Sequence, residues 1–427
     1  MNNSIMSIFE KIYDNYKIDK PIRLIETFAG YGSQALALKY LGVPFEHYKI
    51  SEWAIKSIQA YKDMHFTNVE EDYTSKMSKE DLVEYFKKHN ISSNYNDPLD
   101  ETQIKRLSDK QLRNIYNNMK ITNNLGSIVN IKGKDLEIVN KDRYIYIFTY
   151  SFPCQDLSLA GKGKGMGDTS TRSGMLWEVE RILKELKETN SLPQILLMEN
   201  VPQVHGEGNV EDFNKWQLEL IKMGYKNYWE DLIATDYGIP QTRNRCYMIS
   251  ILGNYNYNFP RKQKLELKLK DMLENNVDKK YYLSDKMINC FSNPSESGKK
   301  FGRDKQFFNN INKECAATIT TLAGNRATDN FIGTYQYSKS DKFMQGKDRL
   351  QLGKETSDTL QTTPKEGVVN NNLKIRKLTP RECFRLMGVK DEDFENVAKN
   401  QSDSSLFHLA GDSIVVNVLM AIFKEMI

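Results

Sequence analysis

The sequence predicts an α/β protein in which a large domain with an open, mainly parallel sheet is joined to a smaller and more basic domain. Over the first 255 residues, short apolar runs of strand length alternate with amphipathic stretches of helix length. That alternation is typical of strand–helix–strand units. Between about residues 260 and 373 it stops, and Lys, Asn, Ser and Thr become frequent. This change predicts a domain boundary near residue 259.

Five strands are predicted in the large domain, because each is a short apolar run bounded by turn residues. They are residues 23–28, 45–50, 144–149, 195–198 and 246–252. Helices with an apolar stripe of period 3.6 are predicted at 33–41, 53–64, 174–186 and 210–223. Ligand-binding residues of such sheets follow the carboxyl ends of the strands, so each strand except the last should lead into functional residues.

Other segments depart from this alternation. Residues 76–124 are charged, Asn-rich and helical in pattern, which predicts an insertion on the surface of the large domain. Residues 261–306 hold 12 Lys and Arg against 7 Asp and Glu, and the Thr-rich segments 318–322 and 358–363 suit short strands. Helical periodicity returns at 379–387 and 413–426, and the apolar stripe of the last helix predicts that it docks on the sheet domain.

Composition limits the class of protein. The chain has 427 residues, 39% of them hydrophobic and 27% charged, and its mean hydropathy is −0.61, values typical of a folded, water-soluble chain. The five cysteines form no C-x-x-C pair and the five histidines are scattered, which favours a reducing compartment without disulfides or a metal site. Since we find neither a secretory signal nor a run of about 18 apolar residues, we expect a cytoplasmic protein with no membrane attachment.

The first predicted strand leads into a glycine-rich turn. The sequence Phe28-Ala-Gly-Tyr-Gly-Ser-Gln-Ala35 follows the pattern G-x-G-x-x-A, and Glu52 lies 20 residues after Gly32. Glycines permit a tight turn and close approach of a ligand, and an acid at this spacing can accept hydrogen bonds from both hydroxyls of a ribose. Taken alone, the pattern fits a dinucleotide, S-adenosylmethionine or a merely structural turn. Trp53 is either a platform for an adenine or a core residue.

A cysteine follows the third predicted strand. Cys154 comes directly after Pro153 and before a polar, Gly-rich loop, which is the placement of a nucleophile, although a lone cysteine is more often a buried structural residue. The loop, residues 157–173, contains four glycines together with Lys162, Lys164 and Arg172. These residues suit a lid that closes over an anionic substrate, or an ordinary solvated loop.

Charged residues also flank the last two predicted strands. Glu199 ends an apolar strand, where an unpaired carboxylate is costly, so it should be partnered, protonated or functional, or else cap a helix. Gln241, Arg243 and Arg245 alternate just before the final strand, so they should share one face. Two arginines on one face imply a carboxylate or phosphate opposite them.

Taken together, the motifs resemble those of the bacterial DNA (cytosine-5)-methyltransferases, in order and over nearly the whole chain. The matching segments are Phe28-Ala-Gly-x-Gly32, Pro153-Cys154-Gln155, Glu199-Asn200-Val201, Gln241-x-Arg243-x-Arg245, Leu378-Thr-Pro-Arg-Glu-Cys383 and Gly411-Asp-Ser413. The resemblance implies a Rossmann-like, S-adenosylmethionine-dependent methyltransferase domain at 1–258, a mainly β target-recognition domain at 259–375, and a segment at 376–427 that returns to the first domain. Two positions differ: Ser127 stands where the family usually has an acid, and Asp412 where it usually has Asn.

The resemblance also implies the roles of individual residues. Cys154 would be the nucleophile that adds to carbon 6 of cytosine, and Glu199 would stabilise the ring at N3. Arg243 and Arg245 would orient Glu199 and the ring carbonyl oxygen, with Arg243 the more direct contact. The expected contacts of S-adenosyl-L-methionine are Phe28, Ala29, Gly30, Gly32, Ser33, Gln34, Glu52, Trp53, Ile128, Pro153 and Ser413. The expected DNA contacts are Gln155, Ser158, Lys162, Lys164 and Arg172.

The implied substrate is a cytosine flipped out of double-stranded DNA, within a short sequence read by the second domain. S-adenosyl-L-homocysteine would be the product, no metal would take part, and the enzyme would be a bacterial or phage-encoded monomer acting independently of any cognate restriction endonuclease. Three other functions remain open. They are an RNA (tRNA) cytosine-5 methyltransferase, a nicotinamide-dependent oxidoreductase, and a non-catalytic DNA-binding regulator.

Overall fold

The computed structural model describes residues 14–153, 173–292, 311–326, 328–335 and 373–427. Its centre is a six-stranded sheet with the order β2-β1-β3-β4-β6-β5. The strands are β1 (Ile22–Thr27), β2 (Phe45–Ser51), β3 (Ile145–Tyr150), β4 (Ile195–Asn200), β5 (Tyr225–Ile233) and β6 (Asn244–Leu252). The first four are parallel, and β6 runs antiparallel to both of its neighbours, β4 and β5.

Twelve helices are found in the described part of the chain. They are α1 (Ser33–Leu41), α2 (Ile55–His65), α3 (Lys79–His89), α4 (Glu101–Arg106), α5 (Asp109–Ile121), α6 (Leu176–Glu188), α7 (Val210–Lys222), α8 (Asp285–Ser292), α9 (Pro380–Leu386), α10 (Asp391–Ala398), α11 (Asp403–Asp412) and α12 (Val416–Lys424). The predicted α/β class is confirmed, because the helices cover both faces of a mainly parallel sheet.

Alternate residues of the strands point into two apolar layers. Leu24, Ile147 and Leu197 face a cluster that includes α1 and the C-terminal helices. Phe148 and Met198 face the opposite cluster, which includes α6 and α7. Because both faces of the central strands are buried, these strands are nearly continuous apolar runs, and this is why the sequence revealed them.

All five predicted strands are present, but the sequence did not reveal β5. This edge strand, Tyr225–Ile233, carries four polar or charged residues besides its two tyrosines and is buried at only two positions, so it shows neither an apolar run nor a clean alternation. The prediction of a strand at 318–322 is wrong: these residues form an irregular segment and a turn. A side chain takes the place of a neighbouring strand there, since Ile319 N donates to Gln241 Oε1 at 2.9 Å.

Much of the predicted second domain packs into the main core rather than forming one of its own. Leu269, Met272, Ala316 and Ile319 belong to the same buried cluster as α1 and the C-terminal helices. A second, two-stranded sheet is formed by β7 (Phe331–Tyr335) and β8 (Leu373–Lys377). The segments 358–363 and 299–305 lie outside the described residues, and the predicted domain boundaries stay predictions.

The last two helices form an unusually apolar segment. Asp403–Lys424 is long and apolar enough to span a membrane by length and composition, with a mean hydropathy of 1.8, contrary to the expectation that no such stretch exists. However, 78% of its apolar 18-residue window is buried inside the protein, and Ser413 to Val415 separate the segment into α11 and α12. Its apolar character is therefore that of core helices, and α12 docks against α1 and β1, as predicted.

The insertion predicted at 76–124 is a small helical subdomain. Its helices α3, α4 and α5 enclose an apolar cluster that also takes in Ile58 of α2. Each of the three begins with a capping box, formed by Ser78 with Asp81, Asp100 with Gln103, and Ser108 with Gln111. These reciprocal caps satisfy exposed backbone donors at each start and fix where each helix begins.

Candidate functional site

The carboxyl ends of the four parallel strands open into one cavity of about 450 Å³. Each of these strand ends contributes side chains to its wall, as the sequence predicted. The cavity volume lies within the range of about 300–1,000 Å³ typical of pockets for small ligands. Among its lining residues are Phe28, Ala29, Gly30, Ser33, Gln34, Glu52, Trp53, Ile128, Pro153, Glu199, Arg243, Arg245 and Ser413.

The glycine-rich turn after β1 is built on left-handed backbone conformations. Phe28, Gly30 and Gly32 have φ values of 56°, 55° and 81°. Gly30 lines the cavity with open space beside it, whereas a Cβ on Gly32 would lie 2.4 Å from His65 Nε2 and 2.6 Å from Tyr61. Gly32 was predicted to contact the cofactor, but it does not line the cavity. Its role is to let the turn pack against α2.

Glu52 lies at the end of β2 with both carboxylate oxygens held in place. Gly30 N donates to Oε2 at 2.9 Å and Ala54 N donates to Oε1 at 2.7 Å. Burial raises the pKa of Glu52 to about 7, while the backbone donors oppose this shift. Each oxygen can accept a further hydrogen bond, so the carboxylate can bind both hydroxyls of a ribose.

Asn124 was missed by the sequence analysis and fixes the position of Glu52. Its side-chain oxygen accepts from the backbone N–H of Glu52 at 3.1 Å and of Gly126 at 2.9 Å, and its Nδ2 donates to Glu52 O at 2.9 Å. Ser127 and Ile128, which line the cavity, follow directly. No sequence signal distinguished Asn124 from the other asparagines of the insertion.

Glu199 faces the cavity at the end of β4 and has two partners from other elements. Arg245 Nε lies 3.1 Å from Glu199 Oε1, and the Ser151 hydroxyl donates to Oε2. Glu199 is only 5% exposed. The expectation that this carboxyl is partnered is met, and its two partners fix the orientation of its oxygens.

Arg243 is held in a different way from Arg245. Its guanidinium donates to three backbone carbonyls: Ile319 O at 3.1 Å, Gly411 O at 3.0 Å and Ser413 O at 2.8 Å. Burial lowers the pKa of Arg243 to about 10, and the charge of Arg245 adds to the shift. Arg243 also lines the cavity, and its Nε has no hydrogen-bond partner among the described residues. The expectation that Arg243 is the more direct catalytic contact stays a prediction.

Gln241 completes this connection between segments that are distant in sequence. It is fully buried, and its Nε2 donates to Leu386 O at 2.7 Å. Ser413, at the end of α11, accepts a hydrogen bond from Tyr31 OH at 2.8 Å. The glycine-rich turn, the start of β6 and the C-terminal helices therefore form one continuous wall of the cavity.

The predicted nucleophile and the predicted DNA contacts lie outside the described residues. They are Cys154, Gln155, Ser158, Lys162, Lys164 and Arg172. Pro153, directly before Cys154, is described and lines the cavity together with Ser151 and Glu199. The chain therefore enters the 154–172 segment at the cavity wall that carries Glu199.

Several residues that line the cavity were not predicted. Tyr95, Asn96 and Pro98 come from the insertion, and His408 and Asp412 come from α11. Asp412 stands in one of the matched motifs, so its position could have been inferred. The insertion residues carry no motif, and only the fold shows that they reach the cavity.

One group of potential metal ligands exists within the described ranges, formed by His205, Asp231 and Cys246. His205 Nε2 and Asp231 Oδ1 are 2.9 Å apart, as expected for an ordinary hydrogen bond. Burial and the neighbouring carboxylate Asp231 raise the pKa of the Cys246 thiol. A protonated thiol is a poor metal ligand, so the donor set as it stands does not favour a metal.

The lining of the cavity suits an adenosine-containing ligand. Glu52 offers a carboxylate to a ribose diol, and Trp53 and Ile128 supply apolar surface for a purine. Glu199 and Arg245 line the same cavity as a paired carboxylate and guanidinium.

A model of the family described as C-5 cytosine-specific DNA methylase matches residues 101–427. The chain is 34% identical over 408 residues to the type II methyltransferase M2.ScrFI of Lactococcus lactis subsp. cremoris, covering 95% of this chain and 99% of that protein. It is 31% identical over 413 residues to the orphan methyltransferase M.SssI of Spiroplasma monobiae, covering 95% of this chain and 97% of that protein.

Solved structures agree on the fold. The Entamoeba histolytica methyltransferase EhMeth aligns with a TM-score of 0.59 and 15% identity, over 95% of this chain and 98% of that one. The S. pombe Dnmt2 methyltransferase aligns with a TM-score of 0.54 and 17% identity, again over 95% and 98%. At this low identity, the similarity concerns the arrangement of the elements.

Proposed function

The chain belongs to the family of C-5 cytosine-specific DNA methylases, and from this premise we propose that it methylates carbon 5 of a cytosine in a short duplex DNA sequence, through a covalent adduct of Cys154 at carbon 6. One observation carries the proposal. Glu199, oriented by Ser151 and Arg245, shares a cavity with the Glu52 ribose site and with Pro153, which precedes Cys154.

Bound S-adenosyl-L-methionine would supply an electrophilic methyl group, and S-adenosyl-L-homocysteine would be the leaving group. Gly30, Glu52, Trp53 and Ile128 would hold its adenosine, because a carboxylate, apolar faces and a close backbone approach meet there. The residues present fit that group. No role for a metal is included.

The reaction would use a covalent bond between the enzyme and the base. The Cys154 thiolate adds to carbon 6, which makes carbon 5 nucleophilic enough to accept the methyl group. Glu199 would donate a proton to ring N3 as negative charge gathers on the ring, and would take it back when the ring is restored, while Arg245 holds Glu199 in place. Loss of the carbon 5 proton to solvent and breakage of the C6–S bond then restore the aromatic ring and the thiolate.

The target carbon is not accessible inside a stacked duplex, so the cytosine would be flipped into the cavity. We assign closure over the base to the loop that carries Gln155, Ser158, Lys162, Lys164 and Arg172, and sequence reading to residues 259–375. A monomer acting in the bacterial cytoplasm, without a physical partner endonuclease, is sufficient for this reaction. The similar proteins include both a type II and an orphan methyltransferase.

Bisulfite sequencing of plasmid DNA from expressing cells tests the proposal, with Cys154→Ser as the matched control. We expect cytosines in one short motif to resist conversion with the intact protein and to convert with the variant. Protection that persists with Cys154→Ser would remove this residue from the mechanism. Absence of protection, while the purified protein binds S-adenosylmethionine and methylates tRNA, would favour the RNA methyltransferase instead.

A further inference from the structure

The helical insertion contributes directly to the cofactor cavity. The loop between α3 and α4, residues 90–99, places Asn90, Tyr95, Asn96 and Pro98 in the cavity wall. The neighbouring wall is formed by Glu52 and Trp53 at the end of β2. The insertion is tied to that strand end, since Ile55 N donates to Ser92 O at 2.9 Å and Ser92 N to Trp53 O at 2.8 Å.

The loop is fixed by its own hydrogen bonds. Leu99 N donates to Ile91 O at 2.8 Å and closes the loop. Inside it, Ser92 Oγ donates to Asp97 O at 2.7 Å, and Asn94 Oδ1 accepts from Asn96 N at 2.9 Å. A loop with satisfied internal polar groups presents its tip in one conformation.

Tyr95 stands at the tip of this loop in a conformation that large residues rarely adopt. Its φ is +63°, in the left-handed region where a tyrosine is strained. Its ring lies on that of His408, with 3.8 Å between the centroids and 31° between the planes. The buried Tyr95 hydroxyl has no hydrogen-bond partner among the described residues. The fold therefore holds this side chain in place against local strain.

The surroundings of Tyr95 are negatively charged. His408 Nε2 lies 2.9 Å from Asp412 Oδ2. Burial raises the pKa of Tyr95 to about 12, and the carboxylates of Glu52 and Asp412 contribute to the shift. An aromatic ring beside two carboxylates is a favourable environment for a cationic ligand group.

We propose that Tyr95 is a further binding residue for S-adenosylmethionine, and that the 90–99 loop, seated on His408, closes the cofactor cavity beside the cationic part of that ligand. This inference rests on the proposed function. In this proposal the insertion has a role in cofactor binding, because α3, α4 and α5 hold the loop over the cavity. Asp412, in place of the Asn usual in the family, adds a negative charge to the same wall.

Isothermal titration of the full chain with S-adenosylmethionine and with S-adenosylhomocysteine tests the proposal. The second ligand has a neutral thioether where the first has a sulfonium. We expect Tyr95→Ala to raise the Kd of S-adenosylmethionine at least tenfold. The fold-increase in the Kd of S-adenosylhomocysteine should be at least three times smaller. Tyr95→Phe should keep most of the wild-type affinity, because the ring makes the contact and the hydroxyl has no hydrogen-bond partner among the described residues.

Tyr85→Ala is the matched control. Tyr85 belongs to the same insertion and stacks on His89 with the same 3.8 Å between centroids, but it does not line the cavity. This variant should lower the melting temperature and leave both Kd values within twofold of the wild type. If Tyr95→Ala fails to fold, Tyr95→Leu, which keeps the bulk without the aromatic ring, takes its place in the same titrations.

Two results would overturn the inference. Wild-type Kd values in folded Tyr95→Ala or Tyr95→Leu would show that the ring does not contact the ligand. Equal losses for both ligands would show that the cation is not recognised there. A wild-type protein that binds neither ligand would instead contradict the proposed function, so the two failures are distinguishable.

Discussion

At the scale of single residues, two arginines two positions apart have separate roles. Arg243 is 4% exposed and donates to three carbonyls from two distant segments, whereas Arg245 pairs with Glu199. Arg243→Ala would leave those carbonyls without partners, each costing about 1–3 kcal/mol. We therefore expect Arg243→Ala to lower the free energy of unfolding by several kcal/mol, measured by urea titration.

Arg245→Ala is the contrasting variant. It removes the group that orients Glu199, so we expect the methylation kcat to fall by about 100-fold or more. The loss in free energy of unfolding should be smaller than in Arg243→Ala, because Ser151 still donates to Glu199. Transfer of a labelled methyl group to DNA measures the rate. Equal losses of stability in the two variants would contradict this division of roles.

The raised pKa of Glu52 leads us to expect that cofactor binding depends on pH. Its pKa is raised to about 7 by burial, with Asp412 as a further charge that raises it. Only the ionised carboxylate offers acceptors to both ribose hydroxyls, so binding should weaken as the pH falls through 7. With a pKa near 7, the Kd of S-adenosylhomocysteine should rise by about tenfold from pH 8 to pH 6.

Calorimetry of Glu52→Gln provides the control for this pH series. The neutral amide cannot titrate. The variant should therefore bind S-adenosylhomocysteine more weakly than the wild type at pH 8, with a Kd that is nearly independent of pH. Glu26, whose pKa burial also raises to about 7, is bonded to Tyr61 and Ala35 away from the ligand. A pH dependence that survives in Glu52→Gln would assign the effect to a group such as Glu26.

At the scale of elements, the sequence predicted the strands that are buried on both faces and missed the strand that depends on pairing with a neighbour. The central strands were recognisable because sheet burial requires apolar residues at consecutive positions. The edge strand β5 has polar residues facing solvent and depends on pairing with β6. No local pattern identifies such a strand, since its backbone partner comes from elsewhere in the chain.

The irregular segment around Ile319 shows the same limit for the candidate site. Its Thr-rich sequence suits a strand, but its backbone groups bond to the side chains of Gln241 and Arg243. The alternation of an extended segment predicted that both side chains share one face, and both reach the backbone of Ile319. The alternation could not show that Arg243 binds backbone carbonyls, because the segments that offer them, near residues 319 and 411, are distant in sequence.

At the scale of the whole molecule, the C-terminal segment joins parts of the chain that the sequence divides into domains. Glu382 in α9 is fully buried and forms a bidentate pair with Arg376, at 2.8 Å from each carboxylate oxygen. It also accepts from Glu274 N at 2.9 Å and Thr379 N at 2.8 Å. One carboxylate thus connects the start of the predicted second domain, strand β8 and the cap of α9.

Removing this carboxylate should therefore destabilise the whole chain. Glu382→Ala leaves the charge of Arg376, 4% exposed at its side chain, buried without its partner, and we expect a loss of about 3–5 kcal/mol in the free energy of unfolding. Urea titration followed by circular dichroism measures it. Glu395→Ala is the control, because Glu395 pairs with Arg381 at the surface, where such a pair contributes about 0–1 kcal/mol. Similar losses in the two variants would mean that the buried connection does not hold these segments together.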